Sequence, residues 1–465
     1  MGNRGAGNSE VDDVRRADLT DVLAGNLCVA CGACTAADST IQLRLHPDKL
    51  MYEPDGVGGA DAAAVCPSVE VDYAALQAQL FPNAEMTPFG VVESIMLAQS
   101  TNRARNLRAS SGGLIKELLL ELLAIPEVDG VIALTHLEGL RFEPELVRQA
   151  EGIDRLPGSI YHSISFERAL RLLEDNDGRF VLVAIPCQLE GIYNYVTKRR
   201  PELLERIYTT VGLICGWTYT HHALRAICSY AGVDFDQLTG VSYRGEGPVG
   251  PLRLSLADGT QHDIQRRNNP DYATAFDRSY NLPRCHLCVN HLNVLAEFVV
   301  GDAWLKRVAG TETGVSILMA RTARAHRVFE SMAADGRIRL APSGEEDIVE
   351  SQSRNFAYGD SAYDYARYLT RTGARPPLLR GPGMAQVRAG ALEDPAGFHR
   401  QLWTKIAMQQ RGDYRLLQLR KTIERMGGRR ALRPDRLARR LLGKALALRS
   451  RPAVEPPPPP VEPFE

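Results

Sequence analysis

Apolar positions along the chain follow two periods, and some stretches follow neither. In Leu114-Ile-Lys-Glu-Leu-Leu-Leu-Glu-Leu-Leu123 the leucines recur at three- and four-residue spacing, which predicts a helix over 114–123. The same reading predicts helices over 165–175 and 223–230. Continuous apolar runs of strand length stand at Gly130-Val-Ile-Ala-Leu134, Phe180-Val-Leu-Val-Ala-Ile185 and Val211-Gly-Leu-Ile214. Two more follow at Glu297-Phe-Val-Val-Gly301 and Gly314-Val-Ser-Ile-Leu-Met-Ala-Arg321. Buried strands alternating with helices predict an α/β core within an α+β chain. Between them, 233–275 carries short alternating segments and the turns Gly245-Glu-Gly247 and Asp258-Gly259, expected to form a β-rich insertion. Residues 21–80 have few long apolar periods.

Composition narrows the class. The chain has 465 residues, room for two or three domains, with 44% hydrophobic and 24% charged residues, as in ordinary soluble proteins. A net charge of −1 gives no overall attraction to nucleic acid or membrane. The polar start Met1-Gly-Asn-Arg-Gly-Ala-Gly7 lacks the apolar core of a signal peptide and the Ser or Thr of a myristoylation site. Every apolar run is far shorter than a membrane span. Nine cysteines in a chain expected in the cytoplasm argue for metal or redox chemistry rather than disulfides.

The cysteines carry the sharpest signal. Cys28, Cys31 and Cys34 follow C-x2-C-x2-C spacing, too close together to serve separate elements, and Cys66-Pro67 supplies a remote fourth thiol. Thiolates on a tight, glycine-containing turn can reach neighbouring corners of one 4Fe–4S cube. No further cysteine follows Cys34 locally, so a single cluster on Cys28, Cys31, Cys34 and Cys66 is expected, with a four-cysteine zinc site as the alternative. In so small a module the bound metal is expected to supply much of the folding free energy.

Further on, the run at 180–185 leads into Pro186-Cys187-Gln188, and Val211-Gly-Leu-Ile214 leads into Cys215-Gly216. Thiols at the carboxyl ends of strands lie where α/β sheets bind ligands, although either residue alone reads equally as a packed core thiol. Cys285-His-Leu-Cys288 adds a knuckle in a turn context and completes a second set of four; Cys228, in the helix over 223–230, is left as a core residue. A division into four, four and one favours two metal centres. Before the leucine-rich helix, Ser110-Ser111-Gly112-Gly113 offers serines as caps and small residues at a helix start. Such a start can hold a phosphate on free N–H groups, or can be an ordinary capped helix. Residues 411–451 hold fourteen Lys or Arg against three Asp or Glu, with leucines interleaved. They read as an amphipathic helix for an anionic membrane surface or acidic partner, or as a solvated basic helix. The tail, with Pro456 to Pro460, is expected to be disordered.

Taken in order, CxxCxxC…CP, SSGG before a helix, PCQ after a strand, and CxxC leading to Gly301-Asp-Ala-Trp304 form a recognisable series. Over about residues 20–325 the chain resembles the family of coenzyme F-420 hydrogenase/dehydrogenase beta subunits. The 7-hydroxymethyl-chlorophyll reductases look like relatives. The resemblance implies an iron–sulfur flavoprotein oxidoreductase that moves electrons between a reduced carrier (coenzyme F-420 or ferredoxin) and a substrate or partner subunit. It implies FAD beside Ser110, Ser111, Gly112 and Gly113, and a second 4Fe–4S cluster on Cys187, Cys215, Cys285 and Cys288. Asn290, Glu297 and Ile185 stand where the family commonly has Asp, Asp and Thr. The alternative is a non-catalytic electron-transfer subunit that docks a catalytic partner. No G-x-G-x-x-G follows a strand, so nicotinamide binding has no support. His162, His221, His222, His286 and His291 are the acid–base candidates. The expected division is a lead-in over 1–20, a ferredoxin-like cluster module over 21–80, a flavin- and cluster-binding core over 81–340, a C-terminal extension over 341–451, and the tail.

Overall fold

The computed structural model describes residues 17–245, 247, 250–311, 313–381 and 390–425. Most of the expected lead-in, the basic stretch beyond 425 and the proline-rich tail lie outside the described residues.

The apolar runs assemble into an eight-stranded mixed sheet. Its spatial order is Ile338–Pro342, Ser94–Ser100, Ser316–Ala320, Phe298–Asp302, Ile207–Leu213, Phe180–Ala184, Gly130–Glu138, Arg141–Val147. Phe298–Asp302, Ile207–Leu213, Phe180–Ala184 and Gly130–Glu138 are parallel neighbours. Ser316–Ala320 runs antiparallel between Phe298–Asp302 and Ser94–Ser100, so the last of these points the same way as the parallel four. Five strands therefore end at one edge of the sheet.

Side chains alternate across the pleat, and both faces are covered. Val131, Val181, Phe298 and Leu318 face one cluster with Leu114 and Leu118 of the helix Leu114–Leu123 and Phe329 of Ala323–Ala334. Their neighbours Ile132, Leu182, Val299 and Ile317 face the other, with Leu170 of Glu167–Asp175 and Leu189 and Ile192 of Pro186–Arg199. Each such side chain contributes about 1.5–3 kcal/mol when fully buried. This two-sided burial explains why the strands read as unbroken apolar runs. Ile207–Leu213 is longer than its apolar run because its first half carries Thr209 and Thr210, which bond Glu297 at 2.7 and 3.1 Å.

The expected insertion is a three-stranded antiparallel sheet of Leu238–Ser242, Leu252–Leu256 and Gln261–Ile264, with the middle strand in sequence at its centre. It packs Tyr243, Leu252 and Leu254 against Leu224 and Ile227 of the helix His222–Ala231.

Among the described residues the first helix, Leu19–Ala24, begins inside the expected lead-in, with Asp18 and Asp21 capping each other's backbone N–H. Leu19 and Val22 join Cys28, Cys34 and Cys66 in one apolar cluster with Tyr365 and Leu369 of Ser353–Arg371 and Leu402 and Ile406 of Pro395–Gln410. Leu378–Arg380 pairs in parallel with Glu70–Asp72. The C-terminal extension thus folds back over the cysteine module. Among the described residues no helix is long and apolar enough to cross a membrane.

Candidate metal centres at the sheet edge

The C-x2-C-x2-C segment turns through two left-handed residues, Ala30 (φ 55°) and Gly32 (φ 83°). A side chain at Gly32 would collide with the backbone of Glu167, so only glycine brings this turn against the core. Gly32 then caps the short helix Ala33–Ala37, which carries Cys34. Cys66 ends the helix Ala60–Val65. Cys28, Cys31, Cys34 and Cys66 line one pocket, whose other walls include Leu19, Val22, Val29 and Pro67.

All four thiols are buried. Burial pushes each pKa up, and the neighbouring thiols push Cys28, Cys31 and Cys34 further, Cys34 to about 12. Backbone N–H groups oppose this: Ala30 donates to Cys28 Sγ at 3.3 Å, and the amides of Ser68 and Val69 favour the Cys66 thiolate. Four thiols lining one buried pocket form a donor set that fits a metal centre, which would hold them as thiolates.

A second set gathers at the sheet edge. Cys187 lies in the first turn of Pro186–Arg199, directly after the strand Phe180–Ala184, and Cys215 follows Ile207–Leu213. Cys285 lies in the 3-10 turn Pro283–Leu287, and Cys288 ends it. A reciprocal backbone and side-chain pair ties the strand end to the loop beyond the knuckle. Cys215 N donates to His291 O at 3.0 Å, and His291 Nδ1 lies 2.8 Å from Cys215 O. Thr218 N donates to Cys285 Sγ at 3.4 Å. Burial raises all four thiol pKa values, and Cys187, Cys215 and Cys288 are raised further by thiols of the same set, Cys288 to about 12.

Cys228 stands apart from both sets. It is buried beside Leu224 and Ile227, and the charge that acts on it is Asp234. Around neither set are three Cys, His, Asp or Glu side chains among the described residues drawn tightly enough to hold a single ion.

Ser110–Gly113 opens on the same edge, after the strand Ser94–Ser100, and here the structure corrects one expectation. The serines do not cap the next helix. Gly113 (φ 73°) is its N-cap, with no side-chain bond to the first turn. Ser111 Oγ instead donates to Val315 O at 2.8 Å, and Ser110 Oγ accepts from Ser159 N at 3.2 Å. Sequence shows the caps but not the competing partners, which lie far along the chain. A Cβ on Gly112 would stand 2.7 Å from Ala98 O and 2.8 Å from Ser316 N, so this glycine is required by the loop's own approach to the sheet. The first-turn N–H groups of Leu114–Leu123 are left without a side-chain cap, which fits an anionic group.

Sequence reasoning missed the charged side chains around this edge. Arg244, from the insertion, holds Asp302 through two bonds of 2.7 and 3.0 Å, and its guanidinium lies 5.4 Å from the ring centre of half-exposed Trp304. A Cβ on Gly158 would touch both Ser110 Oγ (3.4 Å) and Arg244 O (3.8 Å), so this patch adjoins the serine loop. The candidate histidines are structural in their bonding: His162 to Tyr243 and Leu140 O, His221 to Ser163 O, His222 to Tyr414 and Asp48 O. Burial pushes His286 down to about 3 and His291 to about 4.

Two profiles of the coenzyme F420 hydrogenase/dehydrogenase beta subunit match the chain, the N-terminal one over residues 95–171 and the C-terminal one over 177–346. Together they span more than half of the sequence. The chain belongs to this family. Among characterised proteins, this family member is similar to one of the subunits of the F(420)H(2) dehydrogenase of Methanosarcina mazei. They are 23% identical over 348 residues, covering 71% of this chain and 89% of that protein. Among solved structures, a chain of the F420-reducing [NiFe] hydrogenase complex from Methanosarcina barkeri aligns with a TM-score of 0.49 and 17% identity, covering 64% of this chain and 99% of the other. All four cysteines of the second set and the Ser110–Gly113 loop fall within the family match, whereas the first set precedes it.

Proposed function

We propose that this member of the family is an iron–sulfur flavoprotein. It would pass electrons between a reduced carrier, coenzyme F420 or ferredoxin, and a partner subunit or substrate. The observation that carries this reading is the gathering of eight cysteines into two groups of four, one lining a buried pocket and the other half-buried at the sheet edge that also carries Ser110–Gly113. Cys28, Cys31, Cys34 and Cys66 would hold one 4Fe–4S cluster, and Cys187, Cys215, Cys285 and Cys288 the other. Three thiols at C-x2-C-x2-C spacing with a remote Cys66-Pro67 support a cubane over a lone tetrahedral zinc, whose sites usually show two C-x2-C knuckles.

When bound, the clusters supply one-electron exchange and FAD links it to hydride-type chemistry. The chain's own residues bury the thiolates, donate N–H groups from Ala30 and Thr218 to sulfur, and exclude water with Leu19, Val22 and Val29. The uncapped start of Leu114–Leu123 would receive the flavin's diphosphate, with Trp304 and Arg244 beside it.

Iron, acid-labile sulfide and extracted flavin measured after anaerobic purification test the proposal. About eight irons per chain, the stoichiometry of two cubes, with one FAD, is expected. Zinc in place of iron, or cluster-replete protein without flavin, would remove the corresponding part. Turnover of the isolated chain with an artificial acceptor would distinguish a self-sufficient reductase from a subunit that only relays electrons.

A further inference from the structure

One helix serves both cysteine sets. Cys187 opens the helix Pro186–Arg199, and one turn later Gly191 is so close to the first pocket that a Cβ there would stand 2.8 Å from Cys31 Cβ and collide with its sulfur. Four residues of helix advance only about 6 Å. Glu190 lies inside this stretch and is 1% exposed.

Its Oε1 accepts hydrogen bonds from Tyr73 Oη at 2.8 Å and Asn290 Nδ2 at 2.9 Å. Its Oε2 has no hydrogen-bond partner among the described residues and faces Arg284 Nη2 at 3.8 Å. Arg284, 3% exposed, immediately precedes Cys285 and is anchored by Leu287 O at 3.0 Å, while its Nε is unpartnered. The four members come from the cysteine module (Tyr73), the shared helix (Glu190) and the knuckle region (Arg284, Asn290). Glu190 acts on Cys31 in one set and on Cys187, Cys215 and Cys288 in the other; Arg284 acts on Cys66 and on Cys288.

As a device for stability this pair is poor. Two charges buried this deeply lose most of their hydration, and a 3.8 Å contact with unmet hydrogen bonds recovers it incompletely. Its position suits another task. In a low-dielectric interior a fixed charge acts strongly on any redox group a few ångströms away.

We propose that Glu190 and Arg284 form an electrostatic bridge between the two cysteine sites, positioning residues that jointly set the reduction potentials of both bound clusters and so the direction of electron flow between them. This rests on the reading that each set holds a cluster. A carboxylate between the sets disfavours adding an electron on either side; the guanidinium favours it.

The test uses anaerobically purified holoprotein, with iron analysis and redox titration followed by electron paramagnetic resonance. Wild type with eight irons gives two reduction steps, and fewer irons or zinc would fell the two-cluster reading and the bridge with it. Given eight irons, Glu190→Gln should keep them and shift both steps to higher potential, and Arg284→Lys should leave both near wild type. A Glu190→Gln protein that keeps its iron but shifts only one step, or neither, overturns the bridge. Should Glu190→Gln shed iron, the neutral pair Glu190→Gln/Arg284→Met decides. Movement of both steps from their wild-type potentials upholds the proposal, and movement of one or neither overturns it.

Discussion

Cys215 and Cys228 flank the passage from a strand to the next helix, and their neighbours assign them opposite fates. Cys215 is bonded through its backbone to His291 and faces Cys285 and Cys288, whereas Cys228 packs among Leu224, Ile227 and Tyr243. Cys215→Ala should lose about half of the iron, one cube of two, and stability with it, since binding energy at such a site is also folding energy. Cys228→Ala should keep all the iron and cost about 1 kcal/mol, as for a small buried deletion. Metal analysis and denaturant unfolding of both variants check this, and iron lost from Cys228→Ala instead would reassign the thiols. The grouping of the cysteines was legible in the sequence because the C-x2-C-x2-C spacing is local for the first set, and because strand ends and a C-x2-C turn mark the second. Glu190, Arg284 and Arg244 were not legible, because a charged residue that ends up buried has no periodic signature. Arg321 is the extreme case. It follows a strand as any solvated arginine might, yet it is 2% exposed and donates to the carbonyls of Phe89, Val91 and Leu292. Burial lowers its pKa to about 9.

Helices and strands were read best where burial is one-sided or complete. The helix Leu114–Leu123 matches its leucine period, and Phe180–Ala184 its apolar run, whereas half of Ile207–Leu213 was hidden by threonines that serve Glu297. The helices beyond residue 340 were the larger omission. Ser353–Arg371 is mostly polar, and its buried face shows only once the cysteine module lies against it. That contact yields an element-scale expectation. Leu402, 4% exposed on Pro395–Gln410, shares its cluster with Cys28, Cys34 and Cys66. Leu402→Ala should cost about 2–5 kcal/mol, the usual range for a buried leucine. It should also hasten iron release to a chelator, because the helix covers the module. Release at the wild-type rate despite lowered stability would mean that this helix does not guard the first site.

At the scale of the molecule, one dipeptide joins three parts of the chain. His221 donates its backbone N–H to Leu50 O at 2.8 Å, and its ring Nε2 lies 2.8 Å from Ser163 O. His222 places Nε2 2.8 Å from Asp48 O and Nδ1 2.7 Å from the hydroxyl of Tyr414, in the helix Tyr414–Arg425. Cysteine module, core and the helix Tyr414–Arg425 therefore meet on two imidazoles, with the His162 ring centre 4.6 Å from that of His221. Burial lowers the pKa of His221 and of His222 from 6.5 to about 4, with Arg225 also disfavouring the charged form, and lowers His162 well below 6.5. These groups are neutral in the fold and bind a proton more readily when unfolded. Their contribution is complete above about pH 6.5 and is lost as pH falls toward 4, at up to about 1.4 kcal/mol per pH unit for each histidine. Urea unfolding of anaerobic holoprotein at pH 7.5, 6.5 and 5.5 should therefore show a loss over the second interval about three times that over the first. His222→Gln cannot take up the proton, so it should flatten the second interval by about one histidine's share even if its stability at pH 7.5 is lower. A variant with the wild-type slope would show that acid acts elsewhere, and that the meeting of the three parts does not depend on keeping these rings neutral.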